Sequence, residues 1–285
     1  MIPWGSLVVY CTPKGKRVTK RLTPHENYQS THGILDAEQV HGLDFGQEAH
    51  THTGVPILLQ EATLFDRLQS IKRQTQIIYA KDIAFICLKL GAGPNRTILE
   101  AGSGSGGLTV ALSWFCGPTG RVVSHEVRPD FFALTKRNLE WAGVGSNVEL
   151  HNQDITQGFA AQNADALFLD VRTPELYLDQ VLTAIKPGAT VGFLLPTTNQ
   201  IQNLLLALEQ RSFADIEVCE LLKRNWKPLA DRLRPEDRMP AHTGFLVFAR
   251  QQYVSEQFLS LNPKGTRERK QEAARKQRLA LIDPS

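Results

Sequence analysis

The segment Glu100-Ala101-Gly102-Ser103-Gly104-Ser105-Gly106-Gly107 constrains this chain more than any other. It follows Thr97-Ile98-Leu99, an apolar run that reads as a buried strand, and precedes Leu108 to Phe115, which reads as a helix. Glycines at a strand-to-helix turn let the backbone bend sharply and let a ligand approach the main chain. Gly102, Gly104 and Gly107 also satisfy the G-x-G-x-x-G spacing, which is weak evidence alone. The alternative is a tight turn that holds nothing, so the surrounding chain has to decide.

From Thr97 onward strand and helix alternate. Strands are predicted over Arg121–His125, Val148–Leu150, Ala166–Leu169, Thr190–Leu195, Ile216–Leu222 and Phe245–Ala249. Helices are predicted over Asp130–Ala142, Glu175–Ile185 and Asn199–Gln210. This alternation implies an α/β fold with a mainly parallel, doubly wound sheet over residues 97–252. Residues 1–60 hold short apolar runs, Leu7–Tyr10 and Val55–Leu59, broken by turn residues, and read as a small β-rich domain. Residues 61–96 read as a helical connection with a polar break around Lys72–Gln76, and Asp82 is placed to cap the apolar run to Leu90. Residues 253–285 read as a basic tail, either a helix favoured by its Ala and Arg content or a segment disordered until a partner arrives.

Three acids follow the predicted strands. Glu126 ends the second strand, where a carboxylate reaches the ribose hydroxyls of an adenosine moiety. Asp154 lies just beyond the third, where a carboxylate accepts from an adenine amino group. Asp170 ends the fourth, beside the place a transferable methyl group would occupy, since ligands bind beyond the carboxyl ends of such strands. The set favours S-adenosyl-L-methionine over a nicotinamide. A dehydrogenase would also want a catalytic His, Lys or Tyr on a second domain, and none is evident.

Composition narrows the class further. With 42% hydrophobic residues the chain can build a core, which argues against wholesale disorder. Its four cysteines show no metal-type spacing, and a reducing, cytoplasmic setting is expected. No signal peptide is read at the start, no run approaches the ~20 apolar residues of a membrane span, and no metal is expected. Net charge is only +3, but seven basic residues between Lys264 and Arg278 face only Glu268 and Glu272. Such a run is a solvated segment or a clamp on phosphates that adds affinity without sequence preference.

Several segments together resemble the tRNA (adenine-58-N1) methyltransferases over nearly the whole length, apart from the tail. The glycine loop at Glu100–Gly107 is similar to that family's cofactor motif, which all class I methyltransferases share. More specific are T-Q-I-I-Y-A-K-D at Thr75–Asp82, where the family commonly has Pro in place of Ala80, and R-P-E-D-R-M-P-A-H-T-G-F-L-V-F-A-R at Arg234–Arg250. T-H-G-I-L at Thr31–Leu35 matches the family's N-terminal β domain. The resemblance implies a Rossmann-like, seven-stranded methyltransferase sheet with a small N-terminal β domain, S-adenosyl-L-methionine as cofactor, tRNA as partner and a homotetramer. Glu100, Gly102, Ser103, Gly104, Ser105, Gly106, Gly107, Leu108, Glu126, Asp154 and Asp170 are the expected cofactor-binding residues. One departure is Arg172 in Asp170-Val171-Arg172, where the family has an apolar pair; a cation there would keep Asp170 ionised or touch an RNA phosphate.

The implied chemistry is in-line attack of adenine N1 on the sulfonium methyl. Asp170 is the expected catalytic carboxylate. With an ordinary pKa of ~3.9 it would be ionised, would accept from the exocyclic amine and would stabilise the methylated ring. Its structural alternative is a cap for a helix begun by Pro174 and Glu175. Tyr79 is expected to orient the target base, stacking being worth ~1–3 kcal/mol per base, or else simply to pack. His50 and His52 read as a polar strand face, His242 as a structural hydrogen-bonder, Trp141 and Trp226 as packing residues, and Asn199 and Gln200 as neighbours of the site. The competing functions are a class I methyltransferase acting on another RNA, a protein or a small molecule, and a non-catalytic RNA-binding subunit of a methyltransferase complex. The retained glycine loop and strand-four acid argue against the last.

Overall fold

The computed structural model describes residues 1–74, 78–253 and 255. The basic run at 264–278 and Thr75 to Ile77 lie outside these residues.

Residues 1–61 form an antiparallel unit. Strands β1 (Leu7–Cys11), β2 (Arg17–Arg21), β5 (Glu48–His50) and β6 (Pro56–Glu61) make a four-stranded sheet in the order β2-β1-β6-β5. A hairpin of β3 (Tyr28–Ser30) and β4 (Gly33–Leu35) and the one-turn helix α1 (Ala37–His41) cover it. Val8, Tyr10, Leu35, Val40, Ile57 and Leu59 form its core, with the Tyr10 and Tyr28 rings stacked 4.2 Å apart. Here the period-2 signal was short. The sequence reading located β1 and β6, and missed β2, β5 and the hairpin because charged and turn residues fill them. His52 Nδ1 accepts from Ile34 N at 2.8 Å, so this histidine ties the hairpin to the sheet.

Helices α2 (Leu64–Ser70) and α3 (Ala80–Leu90) lead into the second unit. A capping box starts α2: Thr63 accepts from Asp66 N while Asp66 accepts from Thr63 N. The expected cap of α3 is corrected. Tyr79 is the cap residue and contributes no side-chain bond, whereas Asp82 sits a turn inside, buried, and bonds elsewhere.

The main sheet has seven strands in the order β12-β15-β11-β10-β7-β8-β9. They are β7 (Thr97–Ala101), β8 (Arg121–His125), β9 (Val148–His151), β10 (Ala164–Leu169), β11 (Ile185–Leu195), β12 (Phe213–Cys219) and β15 (Phe245–Gln251). The first five are parallel, while β15 runs antiparallel to both β11 and β12. Between β12 and β15, a two-stranded ribbon of β13 (Trp226–Lys227) and β14 (Arg234–Pro235) projects. Alternation along each strand divides the core. Ile98, Val122, Ala166 and Phe168 face α3, α4 (Gly107–Cys116) and α5 (Pro129–Ala142). Leu99, Val123, Leu167 and Leu169 face α6 (Leu178–Ala184) and α7 (Thr198–Glu209). Both faces are covered, as parallel sheets require. A 3₁₀ turn over Pro174–Tyr177 precedes α6, so the single helix expected at Glu175–Ile185 starts as a tighter coil.

The two units meet at the end of α5. Its last carbonyls accept guanidinium bonds, Glu140 O and Trp141 O from Arg21 and Ala142 O from Arg67, which suits the negative end of a helix. Trp141 packs into the clusters on both sides. Trp226 does not pack as expected, because the β13–β14 ribbon holds it 53% exposed. Among the described residues no helix is long and apolar enough to cross a membrane.

Candidate active site

The strand order reverses between β7 and β10, where their connections leave in opposite directions. A cleft at their carboxyl ends is the expected ligand position in such a sheet, and a cavity of about 400 Å³ lies there. Nine of the residues expected to bind cofactor line it: Glu100, Gly102, Ser103, Gly104, Ser105, Gly107, Leu108, Glu126 and Asp170. Three expected site residues do not line it. Gly106 is the left-handed cap residue of α4, at φ 80°. Asp154 is turned to its own loop, where Oδ1 accepts from Thr156 N at 2.8 Å. Tyr79 is 40% exposed and follows Ile78, which does line the cavity.

The glycine loop has no room to spare. A Cβ on Gly102, whose φ is 86°, would stand 2.2 Å from Asp170 O. The loop therefore rests directly on the backbone of the β10 end, and only glycine satisfies both the angle and the contact. Side chains of α5 hold the far part. Thr135 Oγ1 donates to Gly104 O at 3.0 Å, and Asn138 Nδ2 donates to Ser105 O at 2.7 Å and Lys72 O at 2.8 Å. The sequence reading missed both residues. Their signal was present, since they are polar positions inside the buried stripe Phe131, Leu134, Thr135, Asn138, Leu139 and Ala142.

Three carboxyl groups share the cavity. Glu100 is 1% exposed, and its Oε2 accepts from Thr109 Oγ1 at 2.7 Å and Ser124 Oγ at 2.6 Å. Burial pushes its pKa up to about 7, the two hydroxyls pull the other way, and the charges of Asp170 and Glu126 add to the rise. Glu126 bridges two loops: Oε2 accepts from Gly104 N at 2.9 Å and Oε1 from Arg128 N at 3.0 Å. Asp170 opens to the cavity, and its own N–H donates to Ala101 O at 2.9 Å. Desolvation among the cavity walls, followed by the charge of Glu126, pushes the Asp170 pKa up to about 6. This corrects the expectation of an ordinary, fully ionised group kept so by Arg172, because the exposed Arg172 side chain does not offset those two effects. Nor does Asp170 cap the following coil, whose cap position is Thr173.

Crowding of acids makes the cavity favour a ligand with positive charge and hydroxyl or amine donors, which would relieve the mutual repulsion of Glu100, Glu126 and Asp170. The remaining lining is Val127, Arg128, Phe131, Val171, Arg172 and Tyr177. Each directly follows or lies close beyond a predicted acid, a proximity that the sequence reading used for Arg172 alone. Arg128 is engaged with Asp130 at 2.7 Å and lies over the Phe131 ring, 4.1 Å from its centre. Arg172 has its carbonyl bonded by Gln200 Nε2 at 3.0 Å, so α7 does reach this loop through Gln200, while Asn199 stays exposed. His242 bonds Glu220 at 2.6 Å and Pro196 O at 3.0 Å. Among the described residues no group of three or more His, Cys, Asp or Glu is placed to hold a metal ion.

Comparison with known proteins places this geometry. A SAM-dependent O-methyltransferase from Thermotoga maritima has 34% identity and a TM-score of 0.84, with 90% of this chain and 96% of that one covered. The tRNA (m1A58) methyltransferase TrmI from Aquifex aeolicus has 34% identity and a TM-score of 0.77, with 89% and 99% covered. The tRNA (adenine(57)-N(1)/adenine(58)-N(1))-methyltransferase TrmI of Methanocaldococcus jannaschii is 29% identical over 264 residues, 83% of this chain and 92% of its own. Residues 65–239 match the family model described as tRNA methyltransferase complex GCD14 subunit, and the chain belongs to that family.

Proposed function

We propose that this protein transfers a methyl group from S-adenosyl-L-methionine to N1 of adenine 58 in the T loop of tRNA. The carrying observation is the acid-lined cavity at the reversal of strand order, with the glycine loop seated on the Asp170 backbone. A cleft of about 400 Å³ whose carboxylates favour a cation would take the cofactor's adenosine and methionine parts. Glu126, whose oxygens accept from Gly104 N and Arg128 N, would accept from the ribose hydroxyls with its remaining lone pairs. Glu100, Gly102, Ser103, Gly104, Ser105, Gly107 and Leu108 would hold the remainder. Asp154 reaches the adenine amine only by leaving Thr156 N. When bound, the cofactor supplies an activated methyl group.

Asp170 then acts on the target base. Its carboxylate accepts from the exocyclic amine, pushes electron density toward N1 and stabilises the positive ring that results. A pKa of about 6 leaves the group mainly ionised at neutral pH. Tyr79 meets the base after the RNA has extruded it, since an adenine in folded tRNA is stacked and paired. Orientation of this kind is worth ~7–11 kcal/mol at best. The likeness to the Thermotoga O-methyltransferase favours an oxygen acceptor as a second reading. A hydroxyl must lose its proton as the methyl arrives, however, whereas adenine N1 needs no base. Tyr79 beside the cavity and the basic run at 264–278 support an RNA base.

The proposal includes cytoplasmic action on tRNA, a homotetramer, and three units at 1–60, 61–96 and 97–252 followed by the tail. Mass mapping of nucleosides from tRNA incubated with the protein and labelled cofactor tests it. N1-methyladenosine at position 58 is the expected product, and 2′-O-methylation or an unlabelled tRNA rejects it. Asp170→Ala should lose ~10²–10³ in turnover, the scale for one charge-stabilising group, while calorimetry still finds the cofactor bound.

A further inference from the structure

The two segments that carry the specific part of the family resemblance, Thr75–Asp82 and Arg234–Arg250, are joined in space by three side chains. Lys81 Nζ donates to Asp82 Oδ1 at 2.7 Å, Asp82 Oδ2 at 2.9 Å and Thr243 Oγ1 at 2.6 Å. Thr243 in turn donates its one O–H to Asp82 Oδ2 at 2.9 Å. The result is a closed ring in which each member bonds both others. It is secluded, with the Lys81 side chain 14% and the Asp82 side chain 2% exposed. Neighbouring residues on a helix do not ordinarily face each other, and here Thr243, from the far end of the chain, gives the pair its third point.

Stability alone is a poor reason for this arrangement. Burying an ion pair costs desolvation that its mutual attraction often only matches, and well-packed apolar residues commonly do as well. Its placement suggests another reason. Thr243 lies just ahead of β15, whose Phe245 pairs with Leu195 at the carboxyl end of β11. The adjacent His242 bonds Pro196 O, immediately after β11. On the other side of the ring, Lys81 and Asp82 belong to the first turn of α3, directly after Ile78 of the cavity wall and Tyr79. Tyr79 makes no capping bond of its own, yet the Lys81 ammonium lies 5.9 Å from the centre of its ring, within the range of a cation–π attraction.

We infer that Lys81, Asp82 and Thr243 are positioning residues that fix the start of α3, and with it the Tyr79 ring, against the carboxyl edge of the sheet where the target base arrives. The inference rests on the reading of Tyr79 as the residue that meets that base. It assigns Lys81, Asp82 and Thr243 no contact with cofactor or RNA.

The test uses the full chain, tRNA transcript and S-adenosyl-L-methionine. Thr243→Val keeps the shape and removes the hydroxyl, and Thr243→Ser keeps the hydroxyl. Misplacement of a reacting group by about 1 Å can cost ~10²-fold, so Thr243→Val should lower kcat by at least about tenfold. Cofactor Kd and tRNA KM should stay within about twofold of wild type, and Thr243→Ser should restore kcat. If the ring acts through Tyr79, the double variant with Tyr79→Leu should be no slower than Tyr79→Leu alone, the non-additive behaviour of coupled groups. An unchanged kcat in Thr243→Val, a parallel loss of cofactor affinity, or additive losses in the double variant would overturn the inference. Lys81→Arg, which keeps the charge but not the three-point geometry, carries the same measurements should Thr243→Val melt below the assay temperature. Wild-type protein that makes no N1-methyladenosine defeats the proposed function itself, whereas an active wild type with an insensitive Thr243→Val defeats only the ring.

Discussion

The glycine loop and the rim around Tyr79 border one cavity but are held by different means. Main-chain contacts hold the loop. Gly102 touches the Asp170 carbonyl, Gly104 N donates to Glu126, and Thr135 and Asn138 grip the carbonyls of Gly104 and Ser105. At the rim, Tyr79 is 40% exposed, Arg172 is exposed, and the fixing contacts run between the side chains of Lys81, Asp82 and Thr243. At Gly102 and Gly106 this backbone-built cradle resists substitution, because a new Cβ would meet Asp170 O at 2.2 Å or Thr135 at 3.0 Å. A rim built from side chains can be rearranged residue by residue, which suits the part of a site that must discriminate between acceptors.

Gly102→Ala attacks the cradle most directly and should have the largest effect. The added methyl meets Asp170 O at 2.2 Å in a backbone conformation that alanine resists. Overpacking costs ~1–3 kcal/mol and the left-handed backbone ~1–2 kcal/mol more, so cofactor Kd by calorimetry should rise by roughly thirty- to several-thousandfold, and methyl transfer at limiting cofactor should fall with it. Retained affinity would show the loop to be softer than the contrast requires. Next in size is the pH response of methyl transfer. With Asp170 pushed up to about 6 by burial and Glu126, kcat/KM of the wild type, which reports the free enzyme, should fall as pH drops through 6. A profile flat to pH 4.5 would remove Asp170 from the step.

Glu126→Gln should act on the cradle alone. Replacing a charged acceptor by a neutral one loses ~1.5–3 kcal/mol at the ribose, roughly ten- to a hundredfold in cofactor Kd, with kcat at saturation nearly unchanged. A drop in kcat instead would merge the two regions into one. The smallest effect concerns stability without ligand. The folded pKa of Asp170 is raised above its unfolded value, so protonation favours the folded state, and this advantage is lost as pH rises from about 4 through 6. Asp170→Asn should therefore raise Tm above pH 6, and the gain should vanish near pH 4. A gain independent of pH would mean that the substitution acts by packing and not by charge.

Legibility in the sequence differed between the same two regions. Arg121–His125 was located to the residue, and Thr97, Pro129 and Thr198 begin elements predicted within a few positions, because both faces of a parallel sheet must be apolar and the helices between strands carry a clear stripe. Strands such as Arg17–Arg21 and Glu48–His50 escaped, since their exposed residues dilute the period-2 signal. The cradle was legible because its residues are contiguous. Thr135 and Asn138 on α5 and Thr243 ahead of β15 were not assigned to the site, because their partners are 31 to 162 positions away.

Local chemistry along the chain determined that a strand ends in a glycine turn, that acids follow the second, third and fourth strands of that sheet, and that the arrangement is doubly wound. Only the tertiary structure decided which acids share a space. It brought Glu100, Glu126 and Asp170 into one cavity, left Asp154 bonded to its own loop, and turned Asp82 from an expected cap into a buried partner of Lys81 and Thr243. The physical reason is that propensity and periodicity act over a few residues. Desolvation and charge repulsion depend instead on distances that only the closed sheet establishes.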